Sequence, residues 1–286
     1  MREPARLPRD LGRQEVNLGV NTWVWTSPLT DGDLEALAPR VAGWGFDVIE
    51  LPVEQPGDWD PARAADLLAS LGLRASVVLV MPPGRDLVAS DTVRETQDYL
   101  RHCMDVAEIV GSPVIAGPAY SAVGRTWRMS ASERAAAYAE LRENLRPVID
   151  HSEVRLAVEP LNRYETSLLN TVEQALEALP ERAGLTLDIY HLNIEEKDPA
   201  AAVRLAAGRI AHVQVCGTDR GTPGQDRFDW PSFVGALREV SYGGPLVIES
   251  FTAHNQTIAT AASIWRPLAP SQDALAVDGL AFLRTL

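Results

Sequence analysis

Four short apolar runs in the second half of the chain each end in a side chain that can bind a metal ion. The runs read LAVE, LTLD, HVQ and LVIE, and they end at Glu159, Asp188, Gln214 and Glu249. Their ends are 29, 26 and 35 residues apart, about one strand and one helix each. In a (β/α)8 barrel, successive parallel strands bring such side chains to one mouth, where the active site lies. We therefore predict an α/β protein with this fold.

The apolar alternation along these runs predicts which way the four terminal side chains point. Successive side chains of a strand point to opposite faces of the sheet. In LAVE, the leucine and the valine share one face, while Ala157 and Glu159 share the other; Asp188, Gln214 and Glu249 have the same phase. All four therefore point towards the barrel axis, where a carboxylate needs a partner. This agreement favours one shared site over four unrelated polar strand ends.

Strands alternate with helical patterns along the whole chain, which predicts parallel strands joined by helices. We predict strands at 16–25, 47–51, 74–81, 113–116, 154–159, 185–188, 210–215 and 246–249. Helices are predicted at 31–44, 61–71, 92–110, 130–150, 171–179, 198–207 and 231–240, with a broken helix over 257–286. Residues 1–15 are predicted to be an N-terminal extension. Residues 16–286 are predicted to form a single catalytic barrel domain with a C-terminal helical segment.

Charge and cysteine content exclude several classes of protein. The net charge of −13 and the pI near 4.8 disfavour nucleic acid and anionic membranes, which require a basic surface. No run of 18 apolar residues is present, and the charged N-terminus lacks the apolar core of a secretory signal. The two cysteines, Cys103 and Cys216, form no CxxC motif, so we expect a reducing cytoplasm.

The four strand ends predict a divalent metal ion. Three converging carboxylates would repel one another and raise their own pKa values, and a cation relieves this. Glu159, Asp188 and Glu249 offer hard oxygen donors, and Gln214 could add a neutral carbonyl oxygen. An all-oxygen site suits Mn²⁺ or Mg²⁺, and Co²⁺ is often tolerated. An ion with open positions acts as a Lewis acid on a ketone, so that a carboxylate can remove the neighbouring proton and leave an enediolate.

Other polar and aromatic residues follow the same strand ends. Glu165, His191 and Arg220 are the candidates for holding substrate, although single residues at such positions are more often ordinary loop residues. Two tryptophans, Trp23 and Trp25, end the first predicted strand, and Tyr120 follows the fourth; they could wall a sugar or pack in the core. His212 points inward but lies deeper than Gln214, which favours a core or supporting role.

At these residues the chain resembles a known family. EPLNRYE (159–165), LDIYHLNIEE (187–196), DRGTPG (219–224) and VIESF (247–251) resemble the D-tagatose/D-allulose (psicose) 3-epimerases and L-ribulose 3-epimerases, which are xylose-isomerase-like TIM barrels. The similarity extends to GFDVIEL (45–51), AGPAYSAVGR (116–125) and SIWRPL (263–268), and therefore covers nearly the whole chain.

The resemblance implies Mn²⁺-dependent C3 epimerisation of a ketose without phosphate. It implies that Glu159 and Glu249 are both metal ligands and the acid–base pair on opposite faces of C3, and that Asp188 is a ligand. It further implies that Glu165, His191 and Arg220 contact O1–O3 of the sugar. A homo-oligomer, either a dimer or a tetramer, is expected on the same basis.

Gln214 departs from the pattern of these epimerases. They carry His-x-His on the seventh strand, and the second histidine binds the metal. The similar hydroxypyruvate isomerases have H-x-Q there, so a glutamine is compatible with a metal.

Alternative functions follow from this departure. One is a hydroxypyruvate-type isomerase or a 3-keto-glycoside lyase or hydrolase that uses the same enolate chemistry. Another is a non-catalytic sugar-binding barrel, against which the retention of both Glu159 and Glu249 speaks. Endonuclease-like DNA repair on this fold needs a histidine-rich zinc cluster and a basic face, which five histidines and a charge of −13 disfavour.

Overall fold

Eight parallel strands form a closed barrel in the computed structural model, which describes residues 16–286. Each strand pairs with the next along the chain, and the last pairs with the first. The predicted N-terminal extension, residues 1–15, lies outside the described residues. The strands are β1 (Leu18–Asn21), β2 (Val48–Val53), β3 (Arg74–Leu79), β4 (Val114–Gly117), β5 (Arg155–Val158), β6 (Gly184–Asp188), β7 (Ile210–Val215) and β8 (Leu246–Ile248). The predicted (β/α)8 barrel in a single domain is confirmed.

Helices follow the strands and cover the outside of the barrel. A short 3₁₀ turn, Thr22–Val24, comes first. The α-helices are α1 (Asp31–Trp44), α2 (Pro61–Leu71), α3 (Val93–Val110), α4 (Ala131–Ile149), α5 (Val172–Ala178), α6 (Ile189–Glu195), α7 (Pro199–Leu205), α8 (Trp230–Glu239), α9 (Gln256–Ala261) and α10 (Gln272–Leu283). The helix predicted as broken over 257–286 is indeed split into α9 and α10.

Local capping explains several of these boundaries. Ser130 accepts a hydrogen bond from the Glu133 backbone N–H, and the Glu133 side chain accepts one from the Ser130 backbone, so the predicted capping box starts α4. Helix α1 ends at Gly45, whose φ of 91° lies in the left-handed region that glycine adopts without strain. These signals are local in sequence, which is why the predicted bounds of α1 and α2 match the structure.

Two predicted elements were wrong in detail. The first strand, predicted over 16–25, stops at Asn21, because the Asn21 side chain accepts a hydrogen bond from the Trp23 N–H and starts the 3₁₀ turn. The segment after β6, predicted as loop, is helix α6. Asp188 starts this helix by accepting a hydrogen bond from the Tyr190 N–H at 2.8 Å.

The two faces of the strands separate a polar interior from an apolar exterior. Outward residues such as Leu187, Val213 and Ile248 belong to one large buried cluster with the helices. The inward Ala116 and Ala157 lie outside that cluster and are small. Their size leaves room at the centre of the barrel for the polar side chains of β2, β3 and β7.

Two further findings concern the chain as a whole. Across residues 16–286, every helix is too short or too polar to span a membrane. Cys103 and Cys216 are both buried and free.

Candidate active site

A cavity of about 410 Å³ opens at the carboxyl ends of the strands. Six of the predicted site residues line it: Trp23, Glu159, Glu165, His191, Arg220 and Glu249. Its other wall is largely apolar and includes Trp23, Val78, Met81, Pro118, Leu161, Phe251, Ile258 and Ala262. Concave sites with an apolar wall and a few convergent polar groups are typical of small-molecule binding.

Glu159 and Glu249 are buried carboxyl groups in this cavity, 5% and 4% exposed. Burial raises the pKa of Glu159 well above its ordinary value, and the nearby Glu249 and Asp188 raise it further. Burial also raises the pKa of Glu249 well above its usual range, although the positive charge of Arg220 opposes this. Two carboxyl groups that resist simultaneous ionisation can act as an acid and a base.

Arg220 partly balances the acidic cluster. Its Nη1 donates to Asp188 Oδ2 and, at 2.8 Å, to Glu249 Oε2. The backbone of Arg220 has a φ of 67°, which strains a side-chain-bearing residue, and the Ser250 hydroxyl donates to its carbonyl oxygen. The guanidinium also lies 4.3 Å from the Tyr190 ring centroid. The loop after β7 is therefore held in a strained conformation that places a cation over the strand ends.

His191, on helix α6, is oriented by Asn162. The Asn162 backbone N–H donates to His191 Nδ1 at 3.0 Å, and Arg220 Nη2 lies 3.1 Å from His191 Nε2. That Nε2 lies 3.4 Å from Glu159 Oε1. Burial, and secondarily the charge of Arg220, lowers the pKa of His191 below its ordinary value, although Asp188 opposes this. The Asn162 amide also donates to Glu165 Oε1 at 2.7 Å, which fixes the third predicted substrate-holding residue.

Gln214 is fully buried between two carboxylates. Its Nε2 donates to Glu249 Oε1 at 2.7 Å and to Glu50 Oε1 at 3.0 Å. Its Oε1 is buried and has no hydrogen-bond partner in the described part of the chain. A buried carbonyl oxygen without a partner is costly unless something else binds it.

The donor set fits a divalent ion. Donor atoms of the buried residues Glu159, Asp188 and His191 lie within 4.8 Å of one another and could hold a metal ion. Gln214, whose buried carbonyl oxygen has no partner, and Glu249, which accepts from the Gln214 amide, could add oxygen atoms, which Mn²⁺ and Mg²⁺ favour.

Not every predicted residue lies in the cavity. Trp23 lines it, but Tyr120 does not: its side chain is completely buried, and its hydroxyl accepts from the Leu161 N–H at 3.3 Å and donates to the Leu169 carbonyl. Trp25 stacks on Trp44 at 5.8 Å on the outside of the barrel. For Tyr120 and Trp25 the alternative of aromatic core packing therefore applies.

The sequence reasoning missed a buried acid on β2. Glu50 is 0% exposed and accepts hydrogen bonds from Asn21, Ser76 and Gln214, and His212 Nε2 lies 2.6 Å from its Oε2. Burial alone would raise the pKa of Glu50, but the charge and contact of His212 and the amide donors lower it below its ordinary value. The available signal was the inward phase of Glu50 within an otherwise apolar strand.

Comparison with known proteins agrees with the fold. Residues 39–286 match the family model of the xylose isomerase-like TIM barrels, and the chain belongs to this class. A probable ketose 3-epimerase of Synechocystis sp. is 34% identical over 94% of this chain and 96% of its own length. A ketose 3-epimerase of Arthrobacter globiformis is 30% identical over 94% of this chain and 96% of its own length.

A solved structure leads to the same family. The D-allulose 3-epimerase of Methylomonas sp. in complex with D-allulose superposes with a TM-score of 0.85 at 29% identity, covering 94% of this chain and 96% of that one. Within its class, the chain is a member of the ketose 3-epimerase family, as the resemblance predicted.

Proposed function

We propose that this protein catalyses the metal-dependent C3 epimerisation of a ketose that carries no phosphate. The observation that carries the proposal is the pair of buried carboxyl groups, Glu159 and Glu249, on the wall of a sugar-sized cavity, both with a raised pKa. Membership in the ketose 3-epimerase family supports the reaction type. Binding alone would not need two such carboxyl groups.

The two glutamates act as an acid–base pair. One, as a carboxylate, takes the proton from C3 of the ketose; the electron pair of the broken C–H bond moves into an enediolate. The other, as a carboxylic acid, returns a proton to C3 from the opposite face, which inverts that centre. Because the pair shares its protons, one member can be ionised while the other is protonated, as the two half-reactions require.

His191 and Arg220 would hold and polarise the sugar oxygens. The imidazole of His191 and the guanidinium of Arg220 line the cavity and would lie where negative charge develops on oxygen. Glu165, fixed by Asn162, would accept a hydrogen bond from a sugar hydroxyl. Trp23 would pack against the carbon chain of the substrate.

Glu159, Asp188, Gln214 and Glu249 would hold the metal ion. The all-oxygen set favours Mn²⁺, with Mg²⁺ or Co²⁺ as substitutes. When bound, the ion supplies Lewis-acid polarisation of the ketone oxygen. The carboxylates keep their places through contacts within the protein: Arg220 bonds Asp188 and Glu249, and Gln214 bonds Glu249.

The charge of the cavity favours a neutral sugar. Arg220 is the only lysine or arginine among the described residues that line it, and it is already bonded to two carboxylates. Glu54 and Asp58 lie on the far wall and would repel a phosphate or a carboxylate. This distribution supports a polyol chain over a sugar phosphate.

The proposal is tested by incubating Mn²⁺-loaded protein with D-fructose, D-tagatose and L-ribulose and separating C3 epimers by chromatography. Epimers that disappear with EDTA and return with Mn²⁺, and that carry deuterium at C3 after reaction in D₂O, are expected. Absence of epimers from all three sugars, with metal bound, would reject the proposal. The cytoplasmic location and the homo-oligomeric state stay predictions.

Gln214 supports a second candidate, a hydroxypyruvate-type isomerase or a 3-keto-glycoside lyase or hydrolase. The same acid–base pair would remove a proton next to a ketone in these reactions. The two candidates are separated by substrate: the second requires hydroxypyruvate or a 3-keto-glycoside to react while free ketoses do not.

A further inference from the structure

We propose that Glu50 is a positioning residue that fixes the amide of Gln214 so that its carbonyl oxygen is free to bind the metal ion. The inference rests on the proposed function for the existence of that ion. It concerns a residue of β2, three strands away from Glu159 at the end of β5, and it assigns a role to a buried acid that the epimerisation itself does not use.

Glu50 is the centre of a buried polar network, which we call the Glu50 hub: Asn21, Glu50, Ser76, His212 and Gln214. The Glu50 carboxylate accepts from Asn21 Nδ2 at 2.9 Å, Ser76 Oγ at 3.0 Å and Gln214 Nε2 at 3.0 Å. His212 Nε2 lies 2.6 Å from the second oxygen. All five side chains are at most 2% exposed, so water does not compete for these contacts.

The hub determines which end of the Gln214 amide faces the carboxylates. The oxygen and nitrogen of an amide are nearly identical in shape and differ only in accepting or donating. One end of Gln214 lies 3.0 Å from Glu50 Oε1 and 2.7 Å from Glu249 Oε1. Two carboxylate oxygens can be satisfied only by the NH₂ group, so this end must be the nitrogen. The other end is then the carbonyl oxygen, which is the atom without a partner.

Glu249 alone would not hold this orientation in the metal-loaded protein. Glu249 is itself a proposed ligand, so its oxygens are shared with the ion and with Arg220. The terminal torsion of a glutamine is soft and roughly two-fold, so its orientation must come from neighbours. Glu50 is not a proposed metal ligand, so its carboxylate oxygen stays available to accept the hydrogen bond from Gln214.

The test is the Mn²⁺ affinity of Glu50→Gln, measured by the electron paramagnetic resonance signal of free Mn²⁺ without any sugar. An amide at position 50 can donate as well as accept and no longer selects one orientation of Gln214. Loss of a supporting partner of a ligand typically weakens metal affinity about 10–100-fold, and we expect a rise of Kd in that range. Ser76→Ala is the matched control: it removes one donor to Glu50 but leaves the Glu50–Gln214 contact, so its Kd should stay at the wild-type value.

A double-mutant cycle separates orientation from a general effect of charge. With Gln214→Leu there is no amide to orient, so adding Glu50→Gln should leave the Mn²⁺ Kd unchanged. An equal weakening in both backgrounds, or a wild-type Kd in Glu50→Gln, would overturn the inference. Should circular dichroism show that Glu50→Gln does not fold, Glu50→Asp serves in its place, since it keeps the charge but shortens the reach to Gln214.

Failure of this inference is distinguishable from failure of the proposed function. Wild-type protein that binds no Mn²⁺ would reject the metal site itself. Wild-type protein that binds Mn²⁺ but epimerises none of the ketoses would reject the reaction and leave the role of Glu50 to be decided by the affinities.

Discussion

The raised pKa of Glu159 should make one quantity depend on pH: the difference in free energy of unfolding between the wild type and Glu159→Gln. A group whose pKa is higher in the folded than in the unfolded state binds more protons when folded. Its contribution to the free energy of unfolding is fully present below the pKa of the unfolded state, about 4.3. That contribution is lost as the pH rises through the pKa of the folded state. The stability of the wild type relative to Glu159→Gln, measured in EDTA, should therefore fall as the pH rises above about 5.

The magnitude follows from proton linkage. One extra proton on the folded state changes the free energy of unfolding by about 1.4 kcal/mol per pH unit. For a chain of this size that corresponds to roughly 3 °C per pH unit in Tm. Differential scanning calorimetry of both proteins at several pH values gives the difference directly. Titrating groups away from the site cancel because both proteins contain them, whereas Glu249 and Asp188 interact with Glu159 and are part of the difference.

A surface variant and a metal titration complete this test. Glu143→Gln on the exposed side of α4 removes the same charge where it is solvated in both states, so its stability difference should not change with pH. With Mn²⁺ at about 100 times Kd, the wild type should gain about 2.7 kcal/mol, and more at higher pH because the ligands bind as anions. A difference between wild type and Glu159→Gln that is independent of pH would refute the reasoning on burial and repulsion.

Three further substitutions test other parts of the site. Glu249→Gln should keep the fold and lower kcat for ketose epimerisation by at least 10²–10⁴-fold, roughly the value of general acid–base catalysis; wild-type turnover would remove Glu249 from the acid–base pair. Gln214→His should retain or tighten Mn²⁺ binding by calorimetry, and loss of the metal with intact circular dichroism would show that Gln214 does not simply replace a histidine ligand. Gly117→Ala should lower the free energy of unfolding in urea by about 1–3 kcal/mol, because φ is 134° and a Cβ would lie 2.8 Å from the Leu79 carbonyl oxygen; unchanged stability would contradict this local strain.

The barrel and its four polar strand ends could be predicted because the relevant signal is local. A period of two within β5, β6, β7 and β8 fixes the face of each terminal side chain, and no distant contact is needed to read it. Helix α6 was missed for a related reason. Its N-cap is Asp188, the last residue of β6, so no turn or loop sequence separates the helix from the strand.

Tyr120 and Glu50 show where local signals end. An aromatic residue after a strand has the same sequence context whether it lines a cavity or packs in the core. The position of Tyr120 is decided by backbone partners 41 and 49 residues away, at Leu161 and Leu169. Glu50 has its partners on three other strands, so its alternation indicates an inward side chain but not what that side chain contacts.

The Glu50 hub also has a consequence for the order of folding. Its members Asn21 and Ser76 lie 29 and 26 positions from Glu50 along the chain. Gln214 lies 164 positions from Glu50. A nascent chain that ends before β7 already contains Glu159 and Asp188 but lacks the strand that must meet β2 across the barrel. Contacts over such separations form only after the intervening chain has been closed into place. Uptake of the metal ion should therefore report closure of the barrel, and it should come among the last events as the chain folds.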